Sequence, residues 1–200
     1  MSARQVTTKI AALLLELLTL KNVTRTGWAR VGIPPAAQET VAAHSFGSGA
    51  IAIILAGLQG NGTDVGKAAM LAILHDIGET RSGDINHVSK GILEQLGLPK
   101  DQVDQRAEEL QRQGLPKWLQ TFLRETLEES HKKESLEAKI AGDADLIDLG
   151  IQALLYLRQG YPTQEFSEID SQLQTEVGKA LWKLIKEDPE ISTAWFSRRS

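Results

Sequence analysis

Apolar residues recur along most of this chain at the three- and four-residue spacing of amphipathic α-helices. The spacing predicts eight helices, over about 6–20, 39–59, 64–78, 90–96, 100–113, 117–130, 136–158 and 166–187. The sequence shows no sustained alternation of apolar and polar residues, the pattern that marks half-buried strands. We therefore expect an all-α fold, a single bundle of about seven or eight helices.

Glycine and proline separate these helices and are concentrated in one long loop, 22–38. Loops of this length inside a compact domain often carry function. A chain of 200 residues can bury a substantial core. We expect one domain over residues 1–200, with its core over about 6–160 and a C-terminal helix and tail over 161–200.

The sequence contains no cysteine, which excludes disulfides, zinc–thiolate sites and a cysteine nucleophile. A chain without cysteine is compatible with a reducing cytoplasm. The N-terminal residues lack the apolar segment of a signal peptide, and the apolar run 10–15 is too short to cross a bilayer. We therefore expect a cytoplasmic protein that does not associate with a membrane.

The chain carries 22 basic and 26 acidic residues, which gives a net charge of −4. A mildly acidic chain without a basic block is not typical of nucleic-acid-binding proteins, so we expect no nucleic-acid partner. A small anionic ligand needs only a few local donors, and the net charge does not exclude one.

The adjacent residues His75 and Asp76 form the most informative local feature of the sequence. They end the apolar run 70–74, where an ionisable pair requires partners of its own. A divalent metal ion would bind both side chains. His44 lies upstream and Asp145 downstream, each inside a helical apolar pattern, so we predict a metal site made of these four residues. A buried histidine bonded to a backbone carbonyl is the alternative for His44.

Three aspartates compete for the last ligand position on the helix 136–158. At about 100° per residue, Asp143 and Asp145 point to opposite sides, and Asp143 is expected on the solvated side with Lys139. Asp145 shares a polar strip with Asp148 and Gln152 on an otherwise apolar helix. We therefore expect Asp145 as the ligand and Asp148 or Gln152 as a supporting partner. In the alternative, Asp148 is the buried aspartate and pairs with an arginine.

Two histidines and two aspartates with open positions for water are typical of a catalytic metal site rather than a closed structural one. We expect one divalent ion. The ligand set suits Mn²⁺, Co²⁺, Fe²⁺ or Zn²⁺, and Mg²⁺ is less natural beside two imidazoles.

Several segments resemble those of the HD-domain metal-dependent phosphohydrolases, in particular their 5′-deoxynucleotidase and HD-domain-containing protein 2 subgroup. The segments that match are Arg25-Thr-Gly-Trp28, Glu39-Thr-Val-Ala-Ala-His44, His75-Asp-Ile-Gly-Glu79, Gly83-Asp84-Ile85 and Glu137-Ala-Lys139. The resemblance covers most of the domain. It implies an HD-domain bundle that removes the 5′-phosphate from 2′-deoxyribonucleoside 5′-monophosphates.

Two acidic residues are candidates for the chemistry of that reaction. Glu79 follows His75 by four residues and lies on the same face if the helix continues, so it can orient or deprotonate the attacking water. The resemblance gives Asp84 a role in substrate binding and catalysis. An exposed bystander is the alternative for Glu79, and a turn-forming aspartate is the alternative for Asp84.

Three further residues are candidates for substrate binding. Arg25 suits a bidentate phosphate contact, Trp28 a wall against the 2′ position of the sugar, and His87 a phosphate contact. Ordinary surface charge and an ordinary core aromatic are the alternatives for Arg25 and Trp28.

Other activities and assemblies remain open from the sequence. The chain could hydrolyse another phosphate ester, or bind a nucleotide as a metal-containing sensor without turnover. A dinuclear site would need two more histidine ligands, and His131 lies in a strongly charged stretch that disfavours it. Because the terminal helices are apolar, at 10–20 and at Leu181, Trp182 and Ile185, we predict a homodimer, which the resemblance also implies.

Overall fold

The computed structural model describes residues 2–187 of the chain, and these residues form a bundle of nine α-helices. They are α1 (Ala3–Leu18), α2 (Val41–Gln59), α3 (Val65–Leu74), α4 (Glu79–Ser82), α5 (His87–Gln95), α6 (Lys100–Arg112), α7 (Lys117–Lys132), α8 (Leu136–Arg158) and α9 (Glu176–Glu187). These residues contain no strand. The predicted all-α class is therefore confirmed, and the short helix α4 is added to the eight that the spacing predicts.

The helices α2, α3 and α8 pack against one another at the centre of the bundle. Leu55 of α2, Leu71 of α3 and Ile147 of α8 are fully buried in this core. Burial of each such side chain contributes about 1.5–3 kcal/mol relative to its exposure to water. The packing of these three helices fixes their relative positions, and every predicted metal ligand lies on one of them or directly after one.

An N-cap sets the start of α2 and with it the position of His44. The Thr40 hydroxyl accepts a hydrogen bond from the Ala43 N–H, and α2 begins at the residue after Thr40, Val41.

Helix α2 is the one described helix that is long and apolar enough to cross a membrane by length and composition. Core helices of soluble proteins meet the same criterion, and the inner face of α2 packs on α3 and α8.

The chain between α1 and α2 is folded into three short 3₁₀-helices, Thr19–Asn22, Thr26–Val31 and Pro35–Ala37. Thr24 and Thr40 form an antiparallel bridge, in which the Arg25 N–H donates to the Glu39 carbonyl at 2.9 Å. The bridge holds Arg25 beside the first turn of α2.

The helix α3 ends at Leu74, whereas the apolar spacing predicts its end at 78. His75 Nδ1 donates to the Ala72 carbonyl at 2.7 Å, and this carbonyl is the acceptor that a continuing helix would offer to the Asp76 N–H. Residues 75–78 therefore form a turn, and Glu79 starts the separate helix α4. The predicted helix end at 78 is wrong, and the condition under which Glu79 would share a helical face with His75 is not met.

The C-terminal region also differs from the prediction of one helix over 166–187. A 3₁₀-helix, Gln164–Ser167, is followed by irregular chain until α9 begins at Glu176. Ile169 and Leu173 of this irregular segment are buried in the central core, so tertiary packing overrides the local helical spacing. The last part of the predicted tail, 188–200, lies outside the described residues.

Asp143 explains where α9 starts. Its carboxylate accepts hydrogen bonds from the Gln174 N–H at 2.8 Å and from the Thr175 N–H and hydroxyl at 2.8 and 2.6 Å. Its residue exposure is 1%, so the predicted position of Asp143 on a solvated side with Lys139 is wrong. The side chain instead joins α8 to the first turn of α9.

The apolar residues behind the predicted homodimer fall into two groups. Leu14, Leu15 and Leu18 of α1 are exposed, whereas Trp182 of α9 is fully buried in the core of its own chain, with Leu181 and Ile185 packed beside it. The residues of α9 therefore serve the fold, and the homodimer stays a prediction.

Candidate metal centre

The structure brings together the four side chains predicted as metal ligands. His44 Nε2 lies 3.1 Å from Asp145 Oδ1, and His75 Nε2 lies 3.1 Å from Asp76 Oδ2. The crossed pairs, His75 with Asp145 and His44 with Asp76, are separated by 3.8 and 3.9 Å. Ligand atoms about 2.0–2.2 Å from one metal ion lie roughly 3–4 Å from one another. His44, His75 and Asp76 place ligand atoms within 4.8 Å of one another, and Asp145 lies within 3.8 Å of both imidazoles, so the arrangement fits a single ion.

The hydrogen bonds of the two imidazoles determine which nitrogen faces the centre. His44 Nδ1 lies 2.7 Å from Asp148 Oδ2, and His75 Nδ1 lies 2.7 Å from the Ala72 carbonyl. Both partners are acceptors, so both Nδ1 atoms carry hydrogen. In the neutral imidazoles the two Nε2 lone pairs then point at carboxylate oxygens, and the buried His44 Nε2 has no hydrogen-bond partner among the described residues. Acceptors that face acceptors require a cation between them, either a proton on Nε2 or a metal ion, and the donor set fits a divalent metal ion.

The electrostatics of the centre show that protons occupy the imidazoles when no metal ion is bound. Burial and Arg25 disfavour the imidazolium of His44, but Asp145 and Asp148 overcome both and raise its pKa to about 10. Burial raises the pKa of Asp145, but the hydrogen bond with His44 and the charges of His75 and His44 lower it more strongly. The pKa of Asp145 therefore lies below its usual range. Without metal, the carboxylates therefore retain protons on the imidazoles, and a metal ion must compete with these protons.

Arg25 approaches the centre from the loop before α2. Its NH1 lies 3.4 Å from Asp76 Oδ2, and its side chain is 16% exposed. Burial lowers the pKa of Arg25, but Asp76 and Asp145 more than compensate, so the guanidinium is charged. The structure thus brings the charged guanidinium of Arg25 beside a ligand of the centre.

A cavity of about 380 Å³ opens beside the centre. This volume lies within the range of small-molecule sites. The metal ligands in its wall are His75, Asp76 and Asp145, and its cationic residues are Lys90, Lys100, His131 and Lys133. Asp101 and Asp104 also line the cavity, and Asp104 pairs with Lys100 at 2.7 Å. Apart from the metal ligands, basic side chains therefore outnumber acidic ones in the cavity wall.

Glu79 is buried behind one of these lysines. Its Oε1 lies 3.5 Å from Lys100 Nζ, its side chain is 4% exposed, and its Oε2 has no hydrogen-bond partner among the described residues. Burial, with repulsion from Asp76 and Asp84, raises the pKa of Glu79 to about 9. Although Glu79 does not line the cavity, Lys100 connects it to the cavity wall. The alternative of an exposed bystander does not describe Glu79.

Asp84 is engaged in holding two loops together. Its Oδ2 accepts hydrogen bonds from the Thr26 N–H at 2.5 Å and the Thr26 hydroxyl at 2.8 Å. Thr26 directly follows Arg25, so Asp84 positions the loop that carries Arg25. The hydrogen bonds thus favour the structural alternative for Asp84, and a direct catalytic role for it stays a prediction.

The structure does not bring Trp28 or His87 to the cavity. Trp28 is 1% exposed and packs against Tyr156 and Phe166, with ring centroids 5.0 and 4.9 Å away. This placement matches the alternative of a core aromatic. His87 is an exposed residue at the start of α5, and Lys90, one turn later, lines the cavity instead.

Four basic residues of the cavity are not predicted from the sequence as site residues: Lys90, Lys100, Lys133 and His131. His131 and Lys133 belong to a charged stretch at the end of α7 that is typical of solvated helix surfaces. The sequence holds no signal that this stretch folds over the cavity, because charge alone does not tell which side of a helix end faces a site.

Comparisons with known proteins agree with this architecture. The HD-domain family profile matches residues 17–186. A conserved hypothetical protein of Pyrococcus furiosus is 30% identical, with a TM-score of 0.69 over 88% of this chain and 97% of that one. A protein of Pyrococcus horikoshii OT3 is 28% identical, with a TM-score of 0.73 over 88% of this chain and 96% of that one.

An HD-domain phosphohydrolase of Listeria innocua shares the fold, at 21% identity and a TM-score of 0.68 over 91% of this chain and 90% of that one. No curated protein matches the chain. The profile match extends from the end of α1 to the end of α9 and spans all four residues of the centre. The chain therefore belongs to the HD-domain family.

Proposed function

We propose that this protein is a metal-dependent phosphohydrolase that acts on phosphate monoesters. The observation that carries the proposal is the pair of imidazoles whose Nε2 atoms face the Asp76 and Asp145 carboxylates at 3.1–3.9 Å beside a lysine-lined cavity. Such a centre holds a cation next to a space that attracts an anion, which is the pairing that phosphate-ester hydrolysis needs.

The residues of the chain have separate tasks in this reaction. His44, His75, Asp76 and Asp145 would hold one divalent ion, which when bound lowers the pKa of water and neutralises phosphate charge. Arg25, 3.4 Å from Asp76, and Lys100, 3.5 Å from Glu79, would supply positive charge for the phosphate oxygens. The other lysines of the cavity wall draw the anionic ester in from solvent.

Glu79 is the candidate for proton transfer. In the metal-free chain its pKa of about 9, caused by burial and then by Asp76 and Asp84, keeps the carboxyl protonated at neutral pH. With a divalent ion held by Asp76, that carboxylate would repel Glu79 less, which removes one cause of the raised pKa, while burial, the largest cause, remains. We assign Glu79 the task of orienting or deprotonating the attacking water, and Lys100, 3.5 Å from its Oε1, connects it to the cavity in which that water would lie.

The finer proposal is that the substrates are 2′-deoxyribonucleoside 5′-monophosphates. It rests on the resemblance of the segments around Arg25, His44, Glu79 and Asp84 to the 5′-deoxynucleotidases. A cavity of about 380 Å³ is large enough for a ligand of nucleotide size. Because Trp28 is buried in the core, selectivity for the sugar must come from other residues or from an indirect effect of Trp28.

Phosphate release from a panel of substrates tests both levels of the proposal. Chelator-stripped protein receives Mn²⁺, Co²⁺ or Mg²⁺ and is offered deoxy- and ribonucleoside 5′-monophosphates together with a generic aryl phosphate. Metal-dependent release with a preference for the deoxynucleotides is expected, and Asp76→Ala should abolish both metal binding and release. Release from the aryl phosphate alone would contradict the nucleotide proposal, and tight nucleotide binding without release would favour a sensor.

A further inference from the structure

Lys133 has a backbone conformation that lysine rarely adopts. It follows the last residue of α7 and caps that helix with φ 51° and ψ 37°, in the left-handed region. Glycine is the usual residue at such caps, because a side chain costs about 1–2 kcal/mol there. A non-glycine residue kept in a strained conformation beside a cavity is a reason to look for a function of its side chain.

A glycine on the neighbouring helix makes room for this lysine. Gly142 lies in the interior of α8, where glycine costs roughly 0.5–1 kcal/mol relative to alanine. A Cβ at Gly142 would lie 3.1–3.2 Å from Nζ, Cε and Cδ of Lys133, which is tighter than ordinary contact. The missing side chain therefore lets the lysine lie across α8.

The ammonium group of Lys133 ends close to the metal centre. Gly142 precedes Asp145 by three residues, so the two lie on neighbouring sides of α8, about 4.5 Å apart along the helix axis. Both residues and Lys133 line the same cavity. Among the described residues no carboxylate forms an ion pair with Lys133, in contrast to Lys100, which is 2.7 Å from Asp104. The cation thus faces the cavity without a protein partner.

We propose that Lys133 is a phosphate-binding residue, which donates to non-bridging oxygens of the phosphate group held at the metal centre. The identity of the ester that Lys133 would contact rests on the proposed function, whereas the binding of inorganic phosphate by Lys133 does not depend on it. Lys133 in a left-handed cap and Gly142 inside a helix are both locally unfavourable. Together they place one unpaired ammonium group about one helical turn from Asp145. Phosphate is the anion that such an ammonium and a divalent metal ion bind jointly.

Lys133→Gly gives a sharp test, because it removes the ammonium and the backbone strain together. Its Tm without phosphate should stay within about 3 °C of the wild type, since relief of strain offsets the lost packing on Gly142. In metal-loaded protein, inorganic phosphate should raise the Tm of the wild type and raise that of Lys133→Gly much less. Lys133→Met keeps the volume and the strain but not the charge, and should lose the phosphate effect in the same way.

Kinetics supply a second readout. With a phosphate ester, both variants should raise KM on the order of 10- to 100-fold with a smaller change in kcat, because the contact is made in the ground state as well as in the transition state. Gly142→Ala, which displaces the lysine without removing its charge, should also raise KM. Asn61→Gly is the matched control, because Asn61 has the same φ of 51° in an exposed turn outside the cavity.

The outcomes separate this proposal from the proposed function. A phosphate-dependent Tm shift that persists unchanged in Lys133→Gly and Lys133→Met overturns the role of Lys133, even if the enzyme hydrolyses esters. A shift that both variants lose supports it, even if the wild type releases no phosphate from any nucleotide. A wild type whose Tm does not respond to phosphate with any metal also overturns it.

Discussion

Asp148 and His44 are joined by a hydrogen bond of 2.7 Å between the carboxylate Oδ2 and the ring Nδ1. The bond fixes the tautomer of His44, so that Nε2 is the atom that faces Asp145. Gly47, in the turn of α2 that follows His44, leaves the space that the Asp148 carboxylate fills, because a Cβ there would overlap it. Carboxylates in this position orient a metal-binding imidazole and raise its basicity.

Replacing Asp148 should therefore weaken metal binding without removing a ligand. We expect Asp148→Asn to lower the affinity for Mn²⁺ or Co²⁺ on the order of 10- to 100-fold, measured by competition with a fluorescent chelator. Asp170→Asn is the control, because Asp170 is an exposed aspartate that pairs with Lys186. Equal affinities of the two variants would show that Asp148 does not support the centre.

The stability of the metal-free protein should fall as the pH rises. Burial and Arg25 lower the pKa of His44, but Asp145 and Asp148 outweigh them and raise it from 6.5 to about 10. Protonated His44 therefore stabilises the folded chain fully below pH 6.5, and this stabilisation is lost as the pH rises through 10. Burial, Asp76 and Asp84 raise the pKa of Glu79 from 4.5 to about 9, and its contribution falls in the same direction. Thermal unfolding with chelator should show Tm decreasing between pH 6.5 and 10.

The stabilisation by metal should have the opposite pH dependence. A metal ion takes the place of the proton on His44, so its affinity rises as the proton becomes easier to remove. The gain in Tm from metal should grow between pH 6.5 and 10, whereas a gain that is constant over this range would mean that the ion does not displace these protons.

The sequence predicts the central helices well, because their signals are local. The bounds of α8, Leu136–Arg158, agree with the predicted 136–158, since Ser135 offers an N-cap and Gly160 follows the end. The sequence also predicts that His44, His75, Asp76 and Asp145 lie together, because each is a polar residue inside or directly after an apolar helical pattern. The HD-domain family profile matches residues 17–186, a range that contains these central helices.

The remaining features depend on tertiary contacts that leave no local signal. The carboxylate of Asp143 accepts three hydrogen bonds from residues 174 and 175, and a helical projection of α8 alone places it in solvent. The segment 166–175 has helical spacing but is pulled into the core through Ile169 and Leu173. Lys133 likewise reaches the cavity only because Gly142 allows it to cross α8.

Asp143 and Asp145 form a matched pair that separates stability from metal binding. Asp143→Ala should lower the free energy of unfolding by about 2–3 kcal/mol, because the buried donors of Thr175 and the Gln174 N–H lose a charged acceptor. Tm should fall by roughly 4–12 °C, with metal affinity close to that of the wild type. Asp145→Asn should lose metal affinity instead. Loss of metal affinity in Asp143→Ala but not in Asp145→Asn would show that Asp143 is the ligand.

Glu79→Gln tests whether the buried carboxyl transfers a proton or only fills space. The amide keeps the shape of the side chain and avoids the cost of ionising a buried group, so metal content and Tm at pH 8 should not fall. The value of kcat should decrease by about 10²–10⁴, since the amide cannot accept the proton of the attacking water. Metal content is measured by elemental analysis and kcat by phosphate release from the best substrate of the panel. Glu187→Gln, an exposed site at the end of α9, is the control. A kcat like that of the wild type would exclude Glu79 as the base, and loss of metal would instead make it part of the centre.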